Sequence, residues 1–185
     1  MLNLEGNGIS YLSRDSFMGL RELVTLKLNN NNLRNVTEPV FENLKQLETL
    51  DLSRNEISYL SDAAFSGLNS LRSLQLRRNR LGLLVTPNDA EIEKTVVLTV
   101  DGLRADHLPN LTTLDLGDIN FPRVAKYWSP FSSSEGYRNV MFVWFNLKEL
   151  LLDGCAIDSI EPGSFDGLVS LLILKLRNNN LKVCT

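Results

Sequence analysis

The stretch LDLSRNEISYLSDAAFSGL, Leu50 to Leu68, is strongly patterned, yet its leucines follow neither the alternation of a half-buried strand nor the three-and-four spacing of an amphipathic helix. The regularity lies at a longer interval. Rows that begin at Leu23, Leu47 and Leu71 are 24 residues apart, and their columns align. Leu26, Leu50 and Leu74 share one column, Leu28, Leu52 and Leu76 the next, and Asn31, Asn55 and Asn79 a third. Leu33, Ile57 and Leu81 follow, then Val36, Leu60 and Leu84, then Phe41 and Phe65, then Leu44 and Leu68. Upstream, Leu2, Leu4, Asn7, Ile9, Leu12, Phe17 and Leu20 fall in the same columns, and the register returns at Leu147 and Leu171, again 24 apart.

Each Leu-x-Leu, such as Leu50 and Leu52, places two side chains on one side of a short strand and the residue between, Asp51, on the other. Stacking the rows sets these strands in parallel, with one face in the core and one open to solvent. The Asn column has a separate cause. Where the chain leaves the strand and turns inward, backbone groups would be stranded in the core, and an Asn amide both donates and accepts there. Cys155 takes this place in the row of Leu147, and the Phe column fills the wider back of each coil, where AAFSGL and GSFDGL predict helical or irregular turns. One row cannot bury enough apolar surface to offset the ordering of its own backbone, so the rows are stable only as a stack.

These columns resemble the leucine-rich repeat family in its 24-residue form, Leu-x-x-Leu-x-Leu-x-x-Asn-x-Leu-x-x-Leu-x4-Phe-x-x-Leu-x-x. The resemblance covers residues 1–84 and 147–185 cleanly and the middle loosely. It implies an α/β solenoid, curved and right-handed, with a parallel sheet on the concave face. A single solenoid is expected over 1–185, with regular rows over 1–94, irregular rows with an aromatic-rich insertion over 95–146, and regular rows again over 147–185. The chain begins and ends inside a repeat, so the sequence reads as an uncapped fragment of a longer protein, expected to associate through its uncovered leucines.

The middle departs from the period. Counting 24 from Leu71 gives Thr95, and TVVLTVDGL offers Leu98 and Val100 to the strand columns; the next clear start is Leu111, with Ile119 in the Asn column. One short and one long coil are therefore expected before Leu147. The long coil holds both tryptophans, and Met141 and Trp144 stand where the Phe and final Leu belong. Its aromatic residues fit either a repacked coil or a projecting loop, for which Tyr127, Trp128, Phe131 and Tyr137 are the binding candidates.

Composition changes the picture little. With 43% hydrophobic and 22% charged residues and a net charge of -3, the chain reads as an ordinary soluble domain without a nucleic-acid footprint. No apolar run approaches the roughly 20 residues of a membrane helix, and MLNLEGNG lacks the basic-then-apolar pattern of a signal peptide. The two cysteines, Cys155 and Cys184, form no disulfide framework, have no metal-ligand spacing and lack the partners of a thiol nucleophile.

The segment VVLTVDGLRADHLPNL also resembles the opening strand of the alkaline phosphatase and sulfatase superfamily, which would make Asp101 a metal ligand and the chain a remnant of a metal-dependent hydrolase. That chemistry needs several further Asp and His ligands, whereas the chain has the single histidine His107, which reads as a solvated loop residue. No catalytic, cofactor or metal site is expected.

Recognition remains. On the solvent side of the strands, the candidates for ligand contact are Lys27, Asn29, Glu48, Asp51, Arg54, Arg72, Gln75, Arg77, Arg78, Asp115, Lys148, Lys175 and Arg177. An acidic stripe of Glu48, Asp51 and Glu56 lies beside a basic one of Arg72, Arg77, Arg78 and Arg80, which predicts cross-strand ion pairs or a surface for a partner of complementary charge. The Phe-containing repeat resembles those of Toll-type receptors, Slit-like guidance proteins and small proteoglycans, which bind proteins or glycans on the concave face. The resemblance implies a secreted or cell-surface protein with a protein ligand or co-receptor. Asn35-Val36-Thr37 and Asn110-Leu111-Thr112 are glycosylation sequons that point the same way, and a cytoplasmic repeat scaffold is the alternative.

Overall fold

The computed structural model describes residues 1–81, 103, 105–121, 123–124, 144–160 and 162–182. Seven short strands build one parallel sheet: β1 (Leu2–Asn3), β2 (Thr25–Lys27), β4 (Thr49–Asp51), β6 (Ser73–Gln75), β7 (Thr113–Asp115), β9 (Glu149–Leu151) and β11 (Ile173–Lys175), paired in that order. The register joins Leu2, Leu26, Leu50, Leu74, Leu114, Leu150 and Leu174, one leucine per row of the repeat. Four two-residue strands form two smaller ladders farther around the coil, β3 (Asn35–Val36) with β5 (Tyr59–Leu60) and β8 (Arg123–Val124) with β10 (Ser159–Ile160).

The expected short coil does not separate β6 from β7. Strand β6 pairs directly with β7, Leu74 opposite Leu114, so no strand from the Thr95 row lies between them. The coil from Leu71 to Leu111 therefore holds 40 residues, and that from Leu111 to Leu147 holds 36. Parallel pairing constrains only the two strands. The length of chain between them is free, because loop closure becomes only slowly costlier with length.

The core follows the columns. Leu26, Leu28, Leu50, Leu52, Leu74, Leu76, Leu114 and Leu116 are fully buried. At the back, Phe17 stacks on Phe41 at 5.9 Å between ring centroids and Phe41 on Phe65 at 6.2 Å, with near-parallel rings. In the next row, Ala105 occupies the Phe column and is buried. Phe121 and Trp144, at the two ends of the aromatic segment, are core residues. Trp144 accepts a backbone bond from Leu147 at 3.0 Å, the turn that Leu44 and Leu47, and Leu68 and Leu71, make in their own rows. Among the described residues the back of each coil is made of consecutive turns, with no helix. Ser61 to Ala64, Ala63 to Ser66 and Phe65 to Leu68 each close a four-residue turn by a backbone bond of 2.9 to 3.3 Å.

The Asn column performs the role its chemistry predicts. The amide of Asn55 donates to Leu28 and Leu52 carbonyls, both at 3.0 Å, while its oxygen accepts from the Leu33 N–H at 3.0 Å. Asn31 and Asn79 make the corresponding bonds one row before and after, and Asn179 makes them in the last row. In this column Cys155 donates its thiol to the Leu116 carbonyl at 3.2 Å, and Ile119 is fully buried.

Candidate functional site

The solvent-facing strand side is built by the residues that alternate with the core leucines. Lys27, Asp51, Gln75 and Asp115 stand in line on β2, β4, β6 and β7, each half-buried between its neighbours; Asn29 and Arg77 are also half-buried. Glu48, Arg54, Arg72, Arg78, Lys148, Lys175 and Arg177 are exposed on the same flank. The side-chain oxygen of Asn29 is shielded from solvent and accepts no hydrogen bond among the described residues. Tyr127, Trp128, Phe131 and Tyr137 lie outside the described residues, as do Asp101, Cys184 and the Thr95 to Val100 stretch.

After each strand of the seven-stranded sheet the chain turns through a residue in the left-handed region, Gly6, Asn30, Arg54, Arg78, Asp118, Gly154 and Asn178, with φ between 54° and 72°, and in the first and sixth rows a second one follows, Gly8 and Ala156. The glycines, asparagines and aspartate suit that conformation, while two arginines adopt it at a steric cost. This column is legible in the sequence once the rows are aligned, through its recurrent Gly, Asn and Asp. A related signal stands at the strand ends, where Asp51 accepts from the Ser53 N–H at 2.9 Å and Asp115 from the Gly117 N–H at 2.9 Å.

The charges pair differently from the expectation. Arg77 and Arg78 turn away from the acidic stripe, toward the following row, where one carboxylate oxygen of Asp118 accepts from Arg77 Nε at 3.0 Å and Arg78 Nε at 2.9 Å and forms an ion pair with Arg77 Nη2 at 2.9 Å. Among the described residues, Glu56 alone of the acidic stripe meets the basic one, with Arg80 at 3.6 Å, and it also pairs with Arg34 at 3.3 Å. Glu48 and Asp51 form no ion pair among the described residues. The physical reason is space. Gly117 leaves room for the Arg77 guanidinium, whose nearest nitrogen would lie 3.0 Å from an added Cβ, and Gly154 leaves room for the Asp118 carboxylate.

Partial burial of this cluster sets its protonation. Desolvation pushes the Asp118 carboxyl up, but the hydrogen bonds and charges of Arg78 and Arg77 outweigh it and hold the group below its ordinary value. Desolvation likewise opposes the Arg77 charge and is outweighed by Asp118, which leaves that guanidinium raised. Asp115, more deeply set, is pushed up by desolvation against the counteracting Gly117 N–H and Arg77 charge. Burial pushes the Cys155 thiol up to about 11. His107 differs from its expected place, being half-buried with Nδ1 out of solvent and without a hydrogen-bond partner among the described residues. Among the described residues, no group of three or more His, Cys, Asp or Glu side chains is placed to hold a metal ion, and no helix is long and apolar enough to cross a membrane.

The two sequons occupy unlike places. Asn35 is exposed on β3, with no side-chain hydrogen bond among the described residues. Asn110 belongs to a second ladder that sequence reasoning missed, one position before the first leucine of each row. Its Nδ2 donates to the Asn69 carbonyl at 2.8 Å, as Asn146 does to Pro109 at 2.9 Å and Ser70 to Lys45 at 2.7 Å.

A family model described as leucine rich repeat matches residues 21–81 and 145–184, more than half of the chain. No curated protein sequence matches it. Among solved structures, the chain is similar to the receptor in the TLR13–ssRNA13 complex, at 27% identity and TM-score 0.63 over 95% of this chain and 24% of that one. It is also similar to a chain of the Toll–Spatzle complex of Drosophila, at 25% identity and TM-score 0.65 over 97% of this chain and 21% of that one. The chain thus spans about a quarter of the length of either.

Proposed function

We propose, from the premise that the chain belongs to the leucine-rich repeat family, that it is a recognition segment of a secreted or cell-surface receptor or adhesion protein and binds a protein ligand on its concave face. The observation that carries this reading is the concave sheet, where a polar or charged side chain on each of four adjacent strands, Lys27, Asp51, Gln75 and Asp115, stands in register before Leu151 takes the position on β9. A rigid row of varied polar groups at strand spacing is a surface for specific contact rather than for reaction, so no catalytic role is assigned. The location is supported by the likeness to the Toll and TLR13 chains and by the Asn35 sequon.

The charge arrangement favours a protein over a nucleic acid. Asp118 neutralises Arg77 and Arg78 in part, and Glu56 does the same for Arg34 and Arg80. In the rows of Leu47 and Leu71 this leaves Arg54 and Arg72 without an ion pair among the described residues. Two free cations beside the acidic Glu48 and Asp51 match a mixed-charge protein surface better than a line of phosphates.

Photo-crosslinking tests the reading. A photoreactive side chain at Gln75, on the concave face, is expected to capture a defined protein on cells, and one at Ala63, on the back, to capture none. Arg54→Glu with Arg72→Glu should lower the Gln75 product at least tenfold with the fold intact. Equal products from both positions, or a Gln75 product that ribonuclease removes, would contradict it.

A further inference from the structure

We propose that Asn35 carries an N-linked glycan whose first sugar packs against Tyr59, and that Asn110 carries little or none. The inference rests on the secretory location proposed above and adds a specific modified atom and a protein surface that receives the sugar.

Asn35 and Tyr59 are cross-strand partners in the β3–β5 ladder, with Val36 and Leu60 beside them turned into the core. Neighbouring strands lie about 4.8 Å apart, and side chains in register point to the same face. Tyr59 is 47% exposed on that outward face, so its ring lies open beside the Asn35 amide. Tyr11 precedes Asn35 by one row of 24 and is 65% exposed, which places an aromatic residue in the same column on each side of the asparagine. Backbone pairing between the rows, Asn32 N–H to the Ile9 carbonyl at 2.9 Å, holds that spacing. An exposed tyrosine ring has an apolar face for the C–H groups of a sugar and a hydroxyl for its oxygens. Thr37, the third residue of the sequon, is exposed.

The Asn110 sequon has the opposite character. Asn110 Nδ2 is held by the Asn69 carbonyl at 2.8 Å, and the Thr112 hydroxyl donates to the Arg72 carbonyl at 3.0 Å. A sugar on Asn110 would replace one of the two Nδ2 hydrogens and crowd the other against the Asn69 carbonyl, so folding competes with modification. The Asn35 amide makes no such bond among the described residues.

In the transfer, Asn35 Nδ2 forms a bond to the anomeric carbon of a lipid-diphosphate-linked oligosaccharide. The carbon–oxygen bond to the diphosphate breaks with its electron pair leaving on the diphosphate, and the displaced amide proton passes to a base of the transferase. The product is a secondary amide that retains one N–H.

The test carries the full chain into the secretory pathway of cultured cells with an appended leader, which separates site choice from the native location. Peptide mass spectrometry is expected to find Asn35 occupied in most molecules and Asn110 in a small minority. After trimming to the first sugar, NMR should show contacts between its N-acetyl methyl and the Tyr59 ring, with that methyl shifted upfield relative to a Tyr59→Ala chain. Occupancy at Asn110 equal to or above that at Asn35, or no ring contact and no shift, would overturn the proposal. Absence of glycan on the protein from its native source, with Asn35 occupied in the led chain, would instead overturn the secretory location and with it the proposal that the native protein is modified.

Discussion

The carboxylate of Asp118 occupies the place that a side chain at residue 154 would need: an added Cβ on Gly154 would overlap its Oδ1. Gly154 also has φ 72°, a conformation unfavourable to other residues. Gly154→Ala is therefore expected to destabilise the protein by about 2–3 kcal/mol, from the left-handed backbone and the overlap together. Adding Asp118→Ala should remove the second contribution, so the double variant is less destabilised than the sum of the single ones. Urea unfolding of the four proteins checks it.

Asn55→Ala removes the partner of the Leu28 and Leu52 carbonyls and of the Leu33 N–H, all buried. An orphaned buried polar group costs about 1–3 kcal/mol, and some of these groups retain other bonds, so a loss of roughly 3 kcal/mol is expected. Asn55→Cys should lose less, since Cys155 shows that a thiol in this column donates to the preceding row. Urea midpoints of the two variants decide the order.

Arg54 has φ 54° and no ion pair among the described residues. Arg54→Asn is expected to stabilise the fold by about 0.5–1 kcal/mol, because Asn tolerates the left-handed region better. The same change should weaken capture of the concave-face partner. A stability gain with capture undiminished would assign Arg54 no part in binding.

Acid titration of stability should separate the two aspartates. The Asp118 pKa is lowered on folding, so its stabilisation is fully present above the ordinary carboxylate range and is lost as pH falls through its folded value. Asp118→Asn is then expected to flatten the acid limb. Asp115 is raised, so its favourable contribution exists below the ordinary range and is lost as pH rises through the folded value. Asp115→Asn, whose amide oxygen still accepts from Gly117, should therefore match or exceed the wild type at pH 7 and lose that advantage in acid. Denaturant midpoints from pH 7 to pH 3 measure both.

Cys155 is fully buried, and its thiol, pushed up to about 11, leaves roughly one thiolate in ten thousand at pH 7. In a Cys184→Ser chain, a thiol reagent should react with Cys155 only as fast as the protein opens, and promptly in denaturant.

The sequence by itself determined the seven strands of the main sheet, their core leucines, the Phe column and the Asn ladder, though it also offered a strand in the Thr95 row that does not come between β6 and β7. Each is a local requirement repeated every 24 residues, so the columns record it directly. It also indicated which side chains line the concave face, since alternation along a strand allows one assignment once the leucines are buried. Only the tertiary structure decided what depends on which rows become neighbours. That Leu74 lies beside Leu114 follows from packing across a 40-residue coil and not from any count along the chain. Through that neighbour, Arg77 and Arg78 meet Asp118 and bypass the acidic stripe of the preceding row, and Asn110 becomes bound to Asn69. Burial patterns are written in a row's own residues, whereas charge pairing is chosen by distance in space, which only the folded stack defines.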